Sequence, residues 1–257
     1  MNGLNKKIMN RELTVGSWIT LAHPAIAEIM VQAGFDWLTV DMEHSATTIS
    51  QAQEMIRAIE LSGVSPFVRV GENNANLIKR VMDAGAHGVI VPMVNTKADA
   101  EAAVAAVKYP PVGKRGVGLA RAQKYGFGFE EYKKWVAENS IVIVQIEHIS
   151  AIENLEAILS TPGVDGSIIG PYDLSGSLGW PGEFERPEVK EALKRYETIC
   201  DALKKPKGFH IVQPDPEKTK VYIGKGYSFL AVGLDTLYLG CKCRETLDSI
   251  KNGHNLR

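Results

Sequence analysis

With 257 residues, 29 Lys+Arg against 30 Asp+Glu and a formal net charge of -1, the chain suits one large domain or two small ones and lacks the charge excess that nucleic acid or another polyanion requires. No apolar run reaches the ~18–20 residues of a membrane span. Met1 to Lys7 lacks the apolar core of a signal peptide, so a cytoplasmic protein with small-molecule partners is expected.

In chain order, Thr14-Val-Gly-Ser-Trp-Ile-Thr20 reads as a first strand. His23-Pro24 then opens a helix through Ala33, because Pro24 suits a first helical turn and Gly34 a C-terminal cap. Asp36 to Asp41 is a second strand, Thr48 to Ser62 a second helix and Pro66 to Val70 a third strand. A helix over Asn74 to Ala84, a strand over Gly88 to Met93 and an alanine-rich helix over Thr96 to Val107 continue the rhythm. Lys108 to Gly118 carries too much Pro and Gly for a regular element, and an excursion of this kind is usually functional or at an interface. A helix over Phe129 to Glu138 follows. The pattern resumes with the strand Ile141 to Glu147, a helix over Ser150 to Ser160, the strand Asp165 to Gly170 and a helix over Pro187 to Leu203. Strands over Lys207 to Val212 and Ser228 to Asp235 flank a helix over Pro216 to Gly224, and a last helix spans Thr236 to Ile250.

Eight short apolar strands, near residues 15–20, 37–41, 67–70, 88–92, 141–147, 166–170, 208–212 and 229–233, predict an α/β fold, a (β/α)8 TIM barrel over residues 1–257 as a single domain. A doubly wound open sheet is the runner-up. Against it, no G-x-G-x-x-G follows the first strand, and Gly116-Val-Gly118 lacks the third glycine and the helix of a dinucleotide site. Cys200, Cys241 and Cys243 make an odd count without the partners of a zinc site and read as free thiols.

In a barrel the chemistry gathers at the C-terminal ends of the strands. Strand two ends in Asp41-Met-Glu43-His44, strand three in Arg69, strand five in Gln145-Ile-Glu147 and strand six in Pro171-Tyr-Asp173. Glu147 and Asp173 are hard oxygen donors that would leave most of an octahedral shell to water and substrate, which suits Mg2+ or Mn2+. Alternatively, either one caps the helix that follows it. Gln145 shares a face with Glu147 and binds a ligand or satisfies backbone. Arg69 cannot shed its charge, so it holds a substrate carboxylate or forms an internal salt bridge to Glu43 or Asp41. His44 reads as a general base oriented by a nearby carboxylate, or as a structural histidine.

Weaker candidates follow. His210 alternates with Phe209 on strand seven and is read as a core histidine in preference to a residue of the mouth. Lys108, Lys114 and Arg115 are read as a surface basic cluster in preference to a phosphate site, and His23, His87, His148 and His254 as incidental. No lysine ends a strand where a Schiff base would form, which argues for a metal instead.

The chain resembles the HpcH/HpaI aldolase family, the metal-dependent pyruvate aldolases of 4-hydroxy-2-oxo acids and 2-keto-3-deoxy sugar acids. The resemblance lies in Ala33-Gly-Phe-Asp-Trp-Leu38, Asp41-x-Glu43-His44, Val68-Arg69, Val91-Pro-Met-Val94, Tyr109-Pro-Pro-x-Gly-x-Arg-Gly-Val-Gly118, Val144-Gln-Ile-Glu147, Gly163-Val-Asp-Gly166, Ile169-Gly-Pro-x-Asp-Leu-Ser175 and Ala231-Val-Gly-x-Asp235. It implies a lyase in which Glu147 and Asp173 bind a divalent metal, Mg2+ or Mn2+ with Co2+ or Zn2+ as alternatives. It also implies that Arg69 holds pyruvate, that His44 moves the proton through a metal-bound water, that Asp41 orients that histidine, in the same or a neighbouring site, and that Gln145, Tyr172 and Asp173 line the substrate pocket. A homohexamer is implied as well, with the C-terminal helix swapped onto a neighbouring subunit.

Two departures stand out. Tyr172 occupies a position where the family commonly has alanine, and the segment Leu119 to Tyr125 is shorter than the usual form. The alternatives to the aldolase are a carbon–carbon lyase of the citrate-lyase or malyl-coenzyme A type, for which no nucleotide-binding surface is evident, and a non-catalytic metabolite-binding barrel.

Overall fold

The apolar runs become eight strands: β1 (Thr14–Ile19), β2 (Trp37–Asp41), β3 (Ser65–Arg69), β4 (Gly88–Val91), β5 (Ile141–Ile146), β6 (Gly166–Ile169), β7 (Gly208–Ile211) and β8 (Phe229–Leu234). All pair in parallel and in sequence order, and β8 returns to β1 to close the barrel, so the open-sheet alternative is excluded. The computed structural model describes residues 3–254.

Inside the barrel the lower layer is aromatic. Trp37 stacks on Phe229 at 4.3 Å, and Phe67 lies tilted against both rings. Glycine makes room for them: a Cβ on Gly16 would fall 2.1 Å from the Trp37 ring, and one on Gly88 2.4 Å from Phe67. Helix α1 (Gly3–Met9), absent from the sequence reading, buries Leu4 and Ile8 in this same cluster. Only two buried apolar residues, one turn apart, mark so short a helix. Between the strands and the outer helices a larger cluster includes Leu38, Val40, Ile56, Val89, Val144 and Leu230. Burial of each such side chain contributes about 1.5–3 kcal/mol.

The outer helices start where their caps dictate. Helix α2 (Pro24–Val31) is capped by the His23 side chain, and α3 (Ile49–Leu61) and α5 (Lys97–Val107) begin with capping boxes, Thr48 with Gln51 and Thr96 with Asp99. Between them lies α4 (Ala75–Asp83), capped by Asn74. Helix α6 (Phe129–Asn139) follows the irregular excursion. The single helix expected over Ser150 to Ser160 is two, α7 (Ile149–Glu153) and α8 (Leu155–Leu159), broken at Asn154, whose amide donates to the carbonyls of Asn95 and Ser150. A further short helix, α9 (Pro171–Ser177), directly follows β6. Then come α10 (Pro187–Ala202), α11 (Pro216–Gly224) and α12 (Asp235–His254).

The excursion corrects one expectation. Lys108 and Arg115 are not a surface basic cluster: both are buried, Lys108 donating to the carbonyls of Val136 and Ser140 and Arg115 pairing with Asp83 at 2.5 Å. Lys114 alone is exposed. The partners lie on α4 and α6, far along the chain, so the charges looked unpartnered in sequence. The three cysteines are free, as expected.

Candidate active site

At the C-terminal end of the barrel a cavity is lined by Trp18, His44, Arg69, Gln145, Tyr172 and Asp173, together with His210 and the apolar residues around Ile168. Strand register accounts for much of this. Asp41 and Arg69 are paired positions at the ends of β2 and β3. Gln145 and Glu147 lie two residues apart and share a face.

The guanidinium of Arg69 is held on one side by Asp41, with Nε 2.9 Å from Oδ1 and Nη2 2.6 Å from Oδ2. On its other edge Nη1 stands 3.0 Å from Glu43 Oε2, an ion pair without hydrogen-bond alignment. Its Cζ lies 4.7 Å from the centroid of the Trp18 ring. Burial would raise the Asp41 carboxyl, but the Arg69 fork and the N–H groups of Glu43 and His44 outweigh it and hold that carboxyl below its ordinary value. Asp41 meets His44 through this backbone N–H, not through the imidazole. The His44 ring is exposed at the mouth, its Nε2 3.8 Å from Glu43 Oε2.

Glu147 is buried just past β5. Its Oε1 accepts from the Met93 N–H at 2.6 Å, and its Oε2 accepts from the Gln145 amide. It does not cap α7, whose N-cap is the His148 side chain. Asp173 does not cap a helix either: α9 begins at Pro171, which leaves Asp173 exposed in its first turn. The two carboxylates converge on Gly170. A Cβ built there would lie 3.4 Å from Glu147 Oε2 and 3.7 Å from Asp173 Oδ2. Glycine thus keeps open the space between two acidic oxygens.

The mouth carries more negative charge than Arg69 offsets. Burial raises Glu43 to about 7; Arg69 opposes the rise, and the charges of Glu147, Asp41 and Asp173 add to it. Glu147 is raised too, first by burial and further by Asp173, against the hydrogen bonds from Gln145 and Met93. Such mutual repulsion is relieved by a cation placed among the carboxylates. Among the described residues no group of three His, Cys, Asp or Glu side chains forms a ready metal cage. Two carboxylates beside an open cavity fit a hard divalent ion that takes its other ligands from water and substrate.

Sequence reasoning placed two residues differently or missed them. His210 is not enclosed in the core but lines the cavity, its Nε2 3.2 Å from the Gly233 carbonyl and its ring 5.1 Å from Trp18. Trp18, which in the sequence reads only as part of the first strand, lines the same cavity. The alternation of residues on β1 and β7 points both inward, but their height relative to the mouth is set by the stagger of the barrel, which sequence does not display.

The model of the HpcH/HpaI aldolase/citrate lyase family matches residues 14–239. The chain belongs to this family. A 2-keto-3-deoxy-L-rhamnonate aldolase from Klebsiella pneumoniae is 37% identical over 238 residues, 92% of this chain and 88% of that protein. Another, from Escherichia coli (strain K12), is 36% identical over 256 residues, 99% and 95% of the two chains. Among solved structures, a HpcH/HpaI aldolase/citrate lyase family protein from Burkholderia cenocepacia J2315 superposes with a TM-score of 0.91 at 32% identity, covering 98% of this chain and 100% of that one. This member of the family is an enzyme, a lyase of the aldolase kind. No helix among its described residues is long and apolar enough to cross a membrane.

Proposed function

We propose that the enzyme catalyses reversible aldol cleavage of a 4-hydroxy-2-oxo acid, of the 2-keto-3-deoxy sugar acid type, to pyruvate and an aldehyde. The observation that carries this reading is the convergence of Glu147 and Asp173 on Gly170 beside a cavity lined by Arg69 and Gln145. The names of the aldolases at 36–37% identity support the sugar-acid substrate.

In this reading Glu147 and Asp173 hold a divalent ion, Mg2+ or Mn2+ in preference to Co2+ or Zn2+. When bound, that ion supplies Lewis acidity to the oxygens of the oxo acid. The remaining steps belong to the chain. Arg69, its planar fork held in place by Asp41, presents charge to the oxygens of the pyruvate half. Gln145 fixes one oxygen of Glu147 and lines the pocket. His44 takes the proton from the C4 hydroxyl as the bond between C3 and C4 breaks. The electron pair of that bond passes to the pyruvate enolate, the C4 oxygen becomes the aldehyde, and a proton returned to C3 completes pyruvate. Asp173 and Tyr172 bound the substrate side, where Tyr172 narrows the entrance.

The same reading makes the enzyme a cytoplasmic homo-oligomer, a hexamer in which α12 packs on a neighbour. Leu239, Leu247 and Ile250 are exposed along that helix, which supports a partner for it. Pyruvate release from a 2-keto-3-deoxy sugar acid, followed by lactate dehydrogenase coupling with and without Mn2+, tests the activity. Metal-dependent release is expected, and no release from any such acid under any divalent metal would refute it.

A further inference from the structure

His210 has no part in the reaction just described, yet the fold brings it into the cavity with Arg69, Gln145 and Tyr172. It sits on β7 with its ring against Trp18. Its Nε2 is 3.2 Å from the carbonyl oxygen of Gly233. A carbonyl can only accept, so Nε2 carries the hydrogen of this bond, and the neutral ring keeps a lone pair on Nδ1. Burial, with the charge of Arg69 adding to it, lowers the imidazole to about 3, consistent with a neutral ring. The contact to Gly233 is the ring's one hydrogen bond among the described residues, and it leaves Nδ1 for a ligand.

The Trp18 indole N–H beside the ring makes no hydrogen bond and so does not reach this lone pair, and the Gln145 amide is taken by Glu147. Ile168, Ile169, Pro171 and Val212 are apolar walls, and Arg69 is engaged by Asp41 and Glu43. A substrate entering the cavity therefore meets an acceptor that a hydroxyl can satisfy and an alkyl chain cannot. A carboxylate would set lone pair against lone pair.

We infer that His210 determines specificity on the aldehyde side of this site: its Nδ1 accepts a hydrogen bond from a hydroxyl of the aldehyde and selects hydroxylated over alkyl or carboxylated aldehydes. The inference rests on the aldolase reading above and names the substrate class within it. A site built to hydrogen-bond a hydroxyl rejects the analogue that lacks it, here by about 10- to 100-fold for a single neutral bond.

The test is the Mn2+-loaded enzyme adding pyruvate to two aldehydes of equal carbon count, propanal and 2-hydroxypropanal, read as the ratio of kcat/KM values. Because a neighbouring hydroxyl also activates the carbonyl, the decisive quantity is the change in that ratio on substitution. In His210→Leu the preference for 2-hydroxypropanal is expected to fall by about 10-fold or more. In His210→Asn, whose amide oxygen can stand near the place of Nδ1, much of it should return. A ratio in His210→Leu equal to that of the wild type would overturn the assignment. If the leucine protein does not fold, His210→Ala is judged by the same criterion. Deuterium exchange at the pyruvate methyl, which needs no aldehyde, is measured alongside on the wild type. Exchange with an unmoved ratio would sink the role of His210 alone, whereas no exchange would sink the aldolase reading and this inference with it.

Discussion

Arg69 and Asp41, paired positions at the ends of two adjacent strands, are locked by two parallel contacts, Nε to Oδ1 at 2.9 Å and Nη2 to Oδ2 at 2.6 Å. The pair is nearly dry, with Asp41 only 2% exposed. Breaking it from either side should therefore have different consequences.

Arg69→Lys keeps the charge and loses the planar fork. The ammonium cannot bridge Asp41 and still present a flat edge to a substrate, so kcat/KM should fall by about 100-fold or more. Steady-state kinetics of pyruvate release checks this.

Asp41→Asn removes the carboxylate partner of a buried cation and should cost about 3 kcal/mol at neutral pH, with Glu43 remaining on the other edge. The pH dependence should change as well. The folded protein holds the Asp41 carboxyl below its ordinary value, so the unfolded chain binds its proton first as pH falls. The stability this group contributes is complete above about pH 4 and is lost as pH drops through the lower folded value. Melting temperatures measured against pH should show an acid slope in the wild type that is shallower in Asp41→Asn.

Glu147→Gln and Gly170→Ala attack the metal proposal from two directions. The first removes a charge; the second adds a methyl group 3.1 Å from Glu147 Cβ, between the two carboxylates, at a backbone φ of -97° that alanine accepts. Each should weaken Mn2+ binding by about 10- to 100-fold in calorimetry. Far-ultraviolet dichroism should remain that of the wild type.

Tyr172 is 56% exposed, and its ring meets Phe184 edge-on at 4.9 Å. Tyr172→Ala should therefore cost only about 1 kcal/mol. It should open the mouth and raise kcat/KM for bulky aldehydes relative to small ones, in a panel of rising chain length.

The barrel is legible because the strands are short, mostly β-branched or aromatic runs followed by helices, and four of them, β2, β3, β5 and β6, lead into polar residues at the same end. The pairing of Glu147 with Asp173 followed from the resemblance and the order of strands. What sequence did not show depends on contacts between distant segments. The Met93 N–H that orients Glu147 lies 54 positions away. Lys108 and Arg115 find their partners on α4 and α6. Helix α9 starts earlier than a cap at Asp173 would allow, because Pro171 already occupies its first turn, where proline is at home. A histidine among apolar neighbours reads as a core residue, and only the closed barrel brings His210 to the wall of the cavity.

The most direct test of the proposed chemistry is deuterium exchange at the methyl group of pyruvate, followed by proton NMR in deuterated water with Mn2+ or Mg2+. Glu147, Asp173, Arg69 and His44 together should give exchange that EDTA abolishes and that Glu147→Gln loses. Absence of exchange with every divalent metal, or exchange undiminished by EDTA, would contradict it.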